Sequence, residues 1–248
     1  MTTSPDVRVR GLSVAYGSLA VLADVSLRVA PGEFVAVVGP SGCGKSTLLR
    51  VLGGLLPAGA RVRADELALP VGPDGRAATA WMPQGDSLLP WRRAWANVLV
   101  GARIAGVPRD VADGRARALF DEFGLGGFER SWPHELSGGM RQRLALARTC
   151  LPQRPVLLLD EPFGALDALT RRRLNAWLAS VSLGSAGGAS AAVVLVTHDV
   201  DEALLLADRV LVMSDRPGRV VLEVPPRSDQ SARARVLSAL GVDLPALA

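Results

Sequence analysis

Polar and apolar positions alternate through the first thirty residues. Val25, Leu27 and Val29 are apolar and Ser26 and Arg28 between them are polar, the period of two expected of a strand with one buried face. Val7 to Ala15 and Ser18 to Leu22 read the same way, with Tyr16-Gly17 as the turn between them, and Pro31-Gly32 breaks the pattern. Then the pattern changes. Phe34 to Val38 is apolar without interruption, as in a strand covered on both faces, and so are Val156 to Leu159 and Val193 to Val196. Val210 to Met213 and Val220 to Val224 read as late strands across a Ser-Asp-Arg-Pro-Gly turn, and a helix is expected from about Ser46 to Leu56. Strands that alternate with helical segments predict an α/β fold with a largely parallel sheet.

From about Gly85 to Cys150 the spacing is helical, with Val111, Arg115, Ala118, Leu119, Glu122 and Phe123 in register and no strand pattern. This predicts an inserted helical lobe. Leu183 to Ala191 is rich in Gly, Ser and Ala and reads as a flexible surface loop. From Pro225 the chain is polar and then weakly helical, and the tail, residues 226–248, carries no assigned role.

Composition narrows the classes. The 248 residues are 49% apolar with a net charge of only +4, enough for one sizeable core and unlike a disordered chain. Apolar stretches such as Ala191 to Val196 fall far short of the roughly 20 residues of a spanning helix. Met1 to Arg10 lacks the apolar centre of a secretion signal, so the expectation is a cytoplasmic chain. Two cysteines, Cys43 and Cys150, are too few for a disulfide framework. Basic residues are spread along the chain, the longest run being Arg171 to Arg173, and read as solvated faces rather than a nucleic-acid footprint. Of the 28 basic residues only Lys45 is lysine, which marks it as a position where arginine does not substitute.

Lys45 lies in Gly39-Pro40-Ser41-Gly42-Cys43-Gly44-Lys45-Ser46, followed by Thr47, between an apolar strand and a helix. This is the G-x-x-x-x-G-K-[ST] phosphate loop in its required context. Glycines let backbone N–H groups curl around phosphate oxygens, and the helix turns its positive end toward them. Lys45 is a compact charge for the β- and γ-phosphates, and the Ser46 hydroxyl is a ligand for Mg²⁺. Val156 to Leu159 then runs into Asp160 and Glu161, two acids at a strand end. Asp160 is expected to hold Mg²⁺ through water and Glu161 to polarise an attacking water. Leu136-Ser137-Gly138-Gly139-Met140-Arg141-Gln142-Arg143 opens a helical run and reads as a second anion-binding turn or as a plain helix cap.

Over about residues 7 to 225 the chain resembles the ATP-binding subunit of an ABC transporter, and the segment at Leu136 to Arg143 resembles that family's signature motif. The resemblance implies an ABC-type phosphate-loop ATPase domain with a RecA-like core, an N-terminal antiparallel β subdomain and an inserted helical subdomain at about 85–150. It implies ATP and Mg²⁺ as ligands and a head-to-tail dimer with a second copy. Each ATP would lie between one phosphate loop and the partner copy's signature residues, here Leu136, Ser137, Gly138, Gly139 and Gln142. By the same resemblance Tyr16 stacks on adenine, Gln84 contacts Mg²⁺ and senses the γ-phosphate, Asp167 in Gly164-Ala-Leu-Asp167 couples the two sites, and His198 in Val-Thr-His-Asp touches the γ-phosphate.

A chain of this family without spanning helices implies a separate integral membrane permease and, indirectly, an extracytoplasmic solute-binding protein, with this subunit at the cytoplasmic face of the membrane. No nucleic acid is expected as a partner. A non-transport ATPase of the family acting on ribosomes or nucleic acid is the alternative. Leu88-Leu89-Pro90-Trp91 is similar to the nitrate, sulfonate and taurine importer branch, as is Glu161-Pro-Phe-Gly-Ala-Leu-Asp-Ala-Leu-Thr-Arg. Met82-Pro-Gln84 with Asp86 and Trp91-Arg92 resembles importers of thiamine pyrimidine precursors, although Gly85 stands where those commonly have Arg. Leu88, Leu89 and Trp91 either meet the permease or pack the helical lobe.

Overall fold

The computed structural model describes residues 6–56, 59–72, 78–182 and 190–242. The N-terminal alternation becomes an antiparallel hairpin of β1 (Val7–Tyr16) and β2 (Leu19–Val29), closed at Gly17 with a left-handed φ of 59°. The two short runs expected at Ser18 to Leu22 and Val25 to Val29 are one strand. Leu22 and Val25, three residues apart, would face opposite sides of a regular strand. Both are buried because Asp24 between them takes a left-handed φ of 54° at an irregularity in the pairing and donates its N–H to Ser13 Oγ.

β3 (Phe34–Val38) leads through the glycine loop into α1 (Lys45–Leu52), which stops at Gly53-Gly54 rather than running to Leu56. β4 (Ala60–Arg63) and β5 (Glu66–Ala68) return to pair with β1, and β6 (Thr79–Met82) joins the second sheet. These three strands, three or four residues long, are too short to show in the sequence pattern. The helical lobe carries α2 (Ala94–Ile104), α3 (Arg109–Glu122) and α4 (Gly138–Cys150). After it come β7 (Val156–Asp160), α5 (Ala168–Ser182), β8 (Ala192–Val196), α6 (Val200–Leu206), β9 (Arg209–Met213), β10 (Val220–Val224) and α7 (Ala232–Ala239). The weakly helical tail thus holds a real helix, anchored by buried Ala232 and Val236 and by Arg233, which donates to Asp201 at 2.7 Å. Most of the expected loop, 183–189, lies outside the described residues.

The second sheet has the order β10-β9-β3-β8-β7-β6, parallel except for β10. Its central strands are buried on both faces, and period two sorts their residues into two cores. Val35, Val37, Val156, Leu158, Val194 and Val196 face α1 and the N-terminal sheet. Phe34, Ala36, Leu157, Leu159, Val193 and Leu195 face the other way, into the core shared with the helical lobe and the C-terminal helices. Because β3, β8, β7 and β6 are neighbours and parallel, the segments that follow them emerge along one sheet edge. Those segments are the glycine loop, Thr197-His198, Asp160-Glu161 and Gln84.

Candidate functional site

The glycine loop is shaped by close approaches. Gly44 has a φ of 115°, and a Cβ there would stand 2.6 Å from Leu22 Cδ2. A Cβ on Gly39 would stand 2.9 Å from the Met213 carbonyl oxygen. No larger residue fits either place. Arg216 braces the loop from outside, donating from Nε to the Gly42 carbonyl at 3.0 Å. Lys45 is only 7% exposed and donates from Nζ to the Gly39 and Pro40 carbonyls at 2.7 and 2.8 Å. Its remaining N–H direction meets Cys43 Sγ at 3.9 Å. Sulfur is a poor acceptor, so that donor is available to a phosphate oxygen.

Two strands away, Asp160 ends β7 at 3% exposure. Burial pushes its pKa up, nearby Glu161 adds to this, and a hydrogen bond from Ser46 with the charges of Arg50 and Lys45 opposes it. A desolvated carboxylate beside a serine hydroxyl is an oxygen donor pair that suits a hard divalent cation. Among the described residues there is no cluster of three or more His, Cys, Asp or Glu side chains able to hold a metal.

Glu161 has a left-handed φ of 50°, a costly conformation for a residue with a Cβ. Its N–H donates to the Val196 carbonyl at 2.8 Å, which ties the turn to β8. The carboxylate is aimed at a small polar corner. Gln84 Nε2 donates to Glu161 Oε2 at 3.2 Å, and His198 Nδ1 lies 3.5 Å from the same oxygen. His198 is largely exposed on its other side. This arrangement can orient a water at Glu161 and place an imidazole beside it.

Helix α4 begins at Ser137, whose Oγ accepts the Met140 N–H at 3.2 Å as its N-cap. Ser137 and Gly138 are exposed and Gly139 is half-buried, while Leu136 is buried. A Cβ on Gly139 would press on the Ala165 carbonyl at 3.2 Å. Gln142 is turned inward: Nε2 donates to the Glu161 carbonyl at 2.9 Å and Oε1 accepts the Ala165 N–H at 2.7 Å. Arg141 Nε donates to Asp86 Oδ2 at 2.9 Å, and Arg148 donates to the Asp86 and Ser87 carbonyls. These contacts bind the segment after Gln84 to α4.

Residues 22–164 match the ABC transporter family. The aliphatic sulfonates import ATP-binding protein of Nocardia farcinica is 47% identical over 250 residues, covering 97% of this chain and 96% of that protein. The chain belongs to the ABC transporter family. The protein of the same name from Frankia alni is 47% identical over 247 residues, covering 96% of this chain and 85% of that protein. Among solved structures, a dimeric ATP-binding cassette in a post-hydrolysis state with ADP and Pi is similar at a TM-score of 0.73 and 28% identity. That match covers 90% of this chain and 100% of the solved one. The reaction of this chain is the hydrolysis of ATP.

Within this ABC ATPase the fold brings Lys45, Ser46, Gln84, Asp160, Glu161 and His198 to one edge. Tyr16 ends β1, half-buried against the core around α1, with its hydroxyl buried and unpartnered. One expectation needs correcting, and another had two readings of which the structure shows one for Leu88. Gln142 does not face outward with Ser137 and Gly138, because both ends of its amide are spent on Glu161 and Ala165. Leu88 belongs to the lobe's own core at 8% exposure, Leu89 is half-buried, and only Trp91, 69% exposed, stands on the surface. Buried Asn97 holds that turn, exchanging hydrogen bonds with Leu89 and donating to the Arg92 carbonyl. Asp167 uses its carboxylate to cap α5, accepting the Leu169 and Thr170 N–H groups, and these bonds hold its pKa below the usual range. Sequence reasoning quoted Asp86, Arg141, Arg171 and Asp199 inside motifs without giving them a role of their own, and it missed Asn175 and Glu202 behind His198, which no short motif contains.

Proposed function

We propose that this ABC ATPase is the energy-coupling subunit of an importer for aliphatic sulfonates. In this reading two copies bind two ATP molecules head to tail and act on an integral membrane permease at the cytoplasmic face. The observation that carries the catalytic part is the corner where Gln84 and His198 converge on one oxygen of Glu161, at the strand end next but one to the phosphate loop. The solute class rests on the relatives named for aliphatic sulfonate import, at 47% identity over nearly the whole chain. The dimer rests on the dimeric solved cassette. Among the described residues no helix is long and apolar enough to cross a membrane, which agrees with a separate permease.

Residues 39–47 hold the triphosphate through backbone N–H groups and Lys45. Tyr16 stacks on the adenine of the same ATP. The exposed turn at Ser137 and Gly138, with Gly139, meets ATP bound to the other copy, and Asp167 lies where the two copies join. Ser46, Asp160 and Gln84 hold Mg²⁺, which neutralises charge on the β- and γ-phosphates when bound. Glu161 accepts a hydrogen bond from the attacking water and takes its proton as the bond to the γ-phosphorus forms. His198 supports the charge that develops on the γ-phosphoryl oxygens. Most of the rate comes from positioning and charge, as in phosphoryl transfer generally. Trp91 is the permease contact.

The test is reconstitution with the permease and binding protein that co-purify from source membranes with the Glu161→Gln chain and ATP. Stimulation of ATPase activity by an alkanesulfonate over nitrate or a thiamine pyrimidine supports the reading. Stimulation by one of those others alone overturns the solute class. Recovery of ribosomes or nucleic acid in place of a permease overturns transport.

A further inference from the structure

Behind His198 lies a second polar group of residues that the reaction above does not use. Glu202 on α6 is 6% exposed and Asn175 on α5 is 5% exposed. Glu202 is hydrogen-bonded by the Thr197 and Asn175 side chains. Asp199 joins the group at three points. Its N–H donates to Thr197 Oγ1 at 3.0 Å, its Oδ1 accepts the Glu202 N–H at 3.0 Å, and its Oδ2 takes Arg171 Nη1 at 3.2 Å. Arg171 reaches on through Nη2 to the Leu166 carbonyl at 3.5 Å, in the segment that leads to Asp167. One small cavity has both Glu161 and His198 and Arg171, Thr197, Asp199 and Glu202 in its lining. Glu202 Oε1, Asn175 Oδ1 and Arg171 Nε are buried without a partner.

A buried carboxyl with an unpartnered oxygen costs stability. Its presence beside a catalytic corner asks for a use. We propose that Glu202 is a positioning residue for ATP hydrolysis: it holds the Thr197–Asp199 turn, and with it His198, against Glu161, and Arg171 ties that turn to the Leu166 segment. The turn carries His198 between two anchored neighbours. Thr197 is held by Glu202 and by its own N–H, which donates to the Val37 carbonyl of β3. Asp199 is held by Arg171 and by the Glu202 backbone. The imidazole therefore has its backbone fixed from both sides while its ring stays free on the open face.

The cluster has two carboxyl groups and one cation, and Arg171 is committed to Asp199. Burial, reinforced by the Asp199 charge, raises the Glu202 pKa against the hydrogen bonds from Thr197 and Asn175 and the charge of Arg171. A glutamine keeps the shape of Glu202 and offers an amide N–H to the acceptor atoms that otherwise lack a partner.

The inference rests on the role given above to His198, and the test separates the two. Steady-state ATPase kinetics are measured on the purified chain for Glu202→Gln, Glu202→Ala, His198→Ala and the double alanine variant. Glu202→Gln should keep kcat within about twofold, whereas Glu202→Ala should lose about tenfold in kcat with the KM for ATP unchanged. In the His198→Ala background the Glu202→Ala change should cost nothing further, since coupled residues do not add. If His198→Ala lowers kcat and Glu202→Ala multiplies the loss by the same tenfold, Glu202 does not act through His198 and the proposal falls alone. A Glu202→Gln variant as slow as Glu202→Ala overturns it too, because the carboxylate charge is then what matters. If His198→Ala turns over at the parent rate, the role of His198 and this proposal fall together. A rise in KM in step with the fall in kcat would reveal loss of the nucleotide site as a whole and refute positioning.

Discussion

The phosphate loop and the carboxylate–histidine corner stand at the ends of nearby parallel strands, yet they are made in opposite ways. The loop is eight consecutive residues whose shape is local: glycines at 39, 42 and 44, then a helix start. The corner is assembled from Gln84, Gln142, Glu161 and His198, which meet only because β6, β7 and β8 are neighbours. The loop is built of backbone donors and one buried lysine. The corner is built of side chains whose positions depend on others behind them. Binding is therefore expected to be robust to changes outside the loop, and turnover to be sensitive to distant ones.

The comparison breaks most sharply at Lys45. Lys45→Ala should lower ATPase activity by about 10²–10³-fold, since one charge donor to the transferring group is removed. The assay is phosphate release at saturating ATP, and normal turnover would mean that the loop does not hold the nucleotide. Next comes Glu161→Gln, which should lose about 10²-fold or more in kcat while still binding ATP. Size exclusion with ATP present should then show a dimer, and a monomer would count against the two-copy reading.

Gly44→Ala tests the loop as backbone rather than charge. The φ of 115° and the 2.6 Å approach to Leu22 predict a cost of about 1–3 kcal/mol, read as a lower melting temperature. An unchanged melting temperature would show that the loop relaxes freely. Asp160→Asn sharpens the comparison from the other side. Burial raises the folded pKa of Asp160 above its unfolded value, so the folded state holds the extra proton between the two values. The metal-free parent thus loses stability as pH rises through that window. Asp160→Asn should melt higher than the parent at pH 8 in chelator, and the gain should vanish at pH below the ordinary carboxylate range. A constant gain at both would assign the effect to packing. The smallest effect is expected at Trp91. Trp91→Ala should leave basal ATPase activity within about twofold, as for an exposed side chain outside the site, and weaken stimulation by the permease. Full stimulation would remove Trp91 from that contact.

The sequence carried the local chemistry well. Residues 39–47 needed only spacing, glycine and a helix to be recognised, and the short apolar runs at β3, β7 and β8 announced a sheet covered on both faces. Strands β4, β5 and β6 escaped because they are three or four residues long and owe their existence to pairing with β1 and β7. The kink at Asp24 escaped because a bulge reverses the alternation on which strand reading depends. Among the site residues, Gln142 sits inside a recognised motif and still faces the other way from Ser137. A helix turns about 100° per residue, so contiguous letters point in different directions.

What the sequence determined by itself is what a short stretch of backbone settles alone: the glycine loop, the acid pair after an apolar strand, and the capped start of α4. These depend on sterics and hydrogen bonds within a few residues. Tertiary structure decided which of these meet. The order β3-β8-β7-β6 set His198 beside Glu161, the packing of the helical lobe took Leu88 in and left Trp91 outside, and α5 against α6 brought half-buried Arg171 and Asp199 to buried Asn175 and Glu202. Such contacts join residues distant in the chain, and their energy comes from shared burial and charge balance, which no local pattern records.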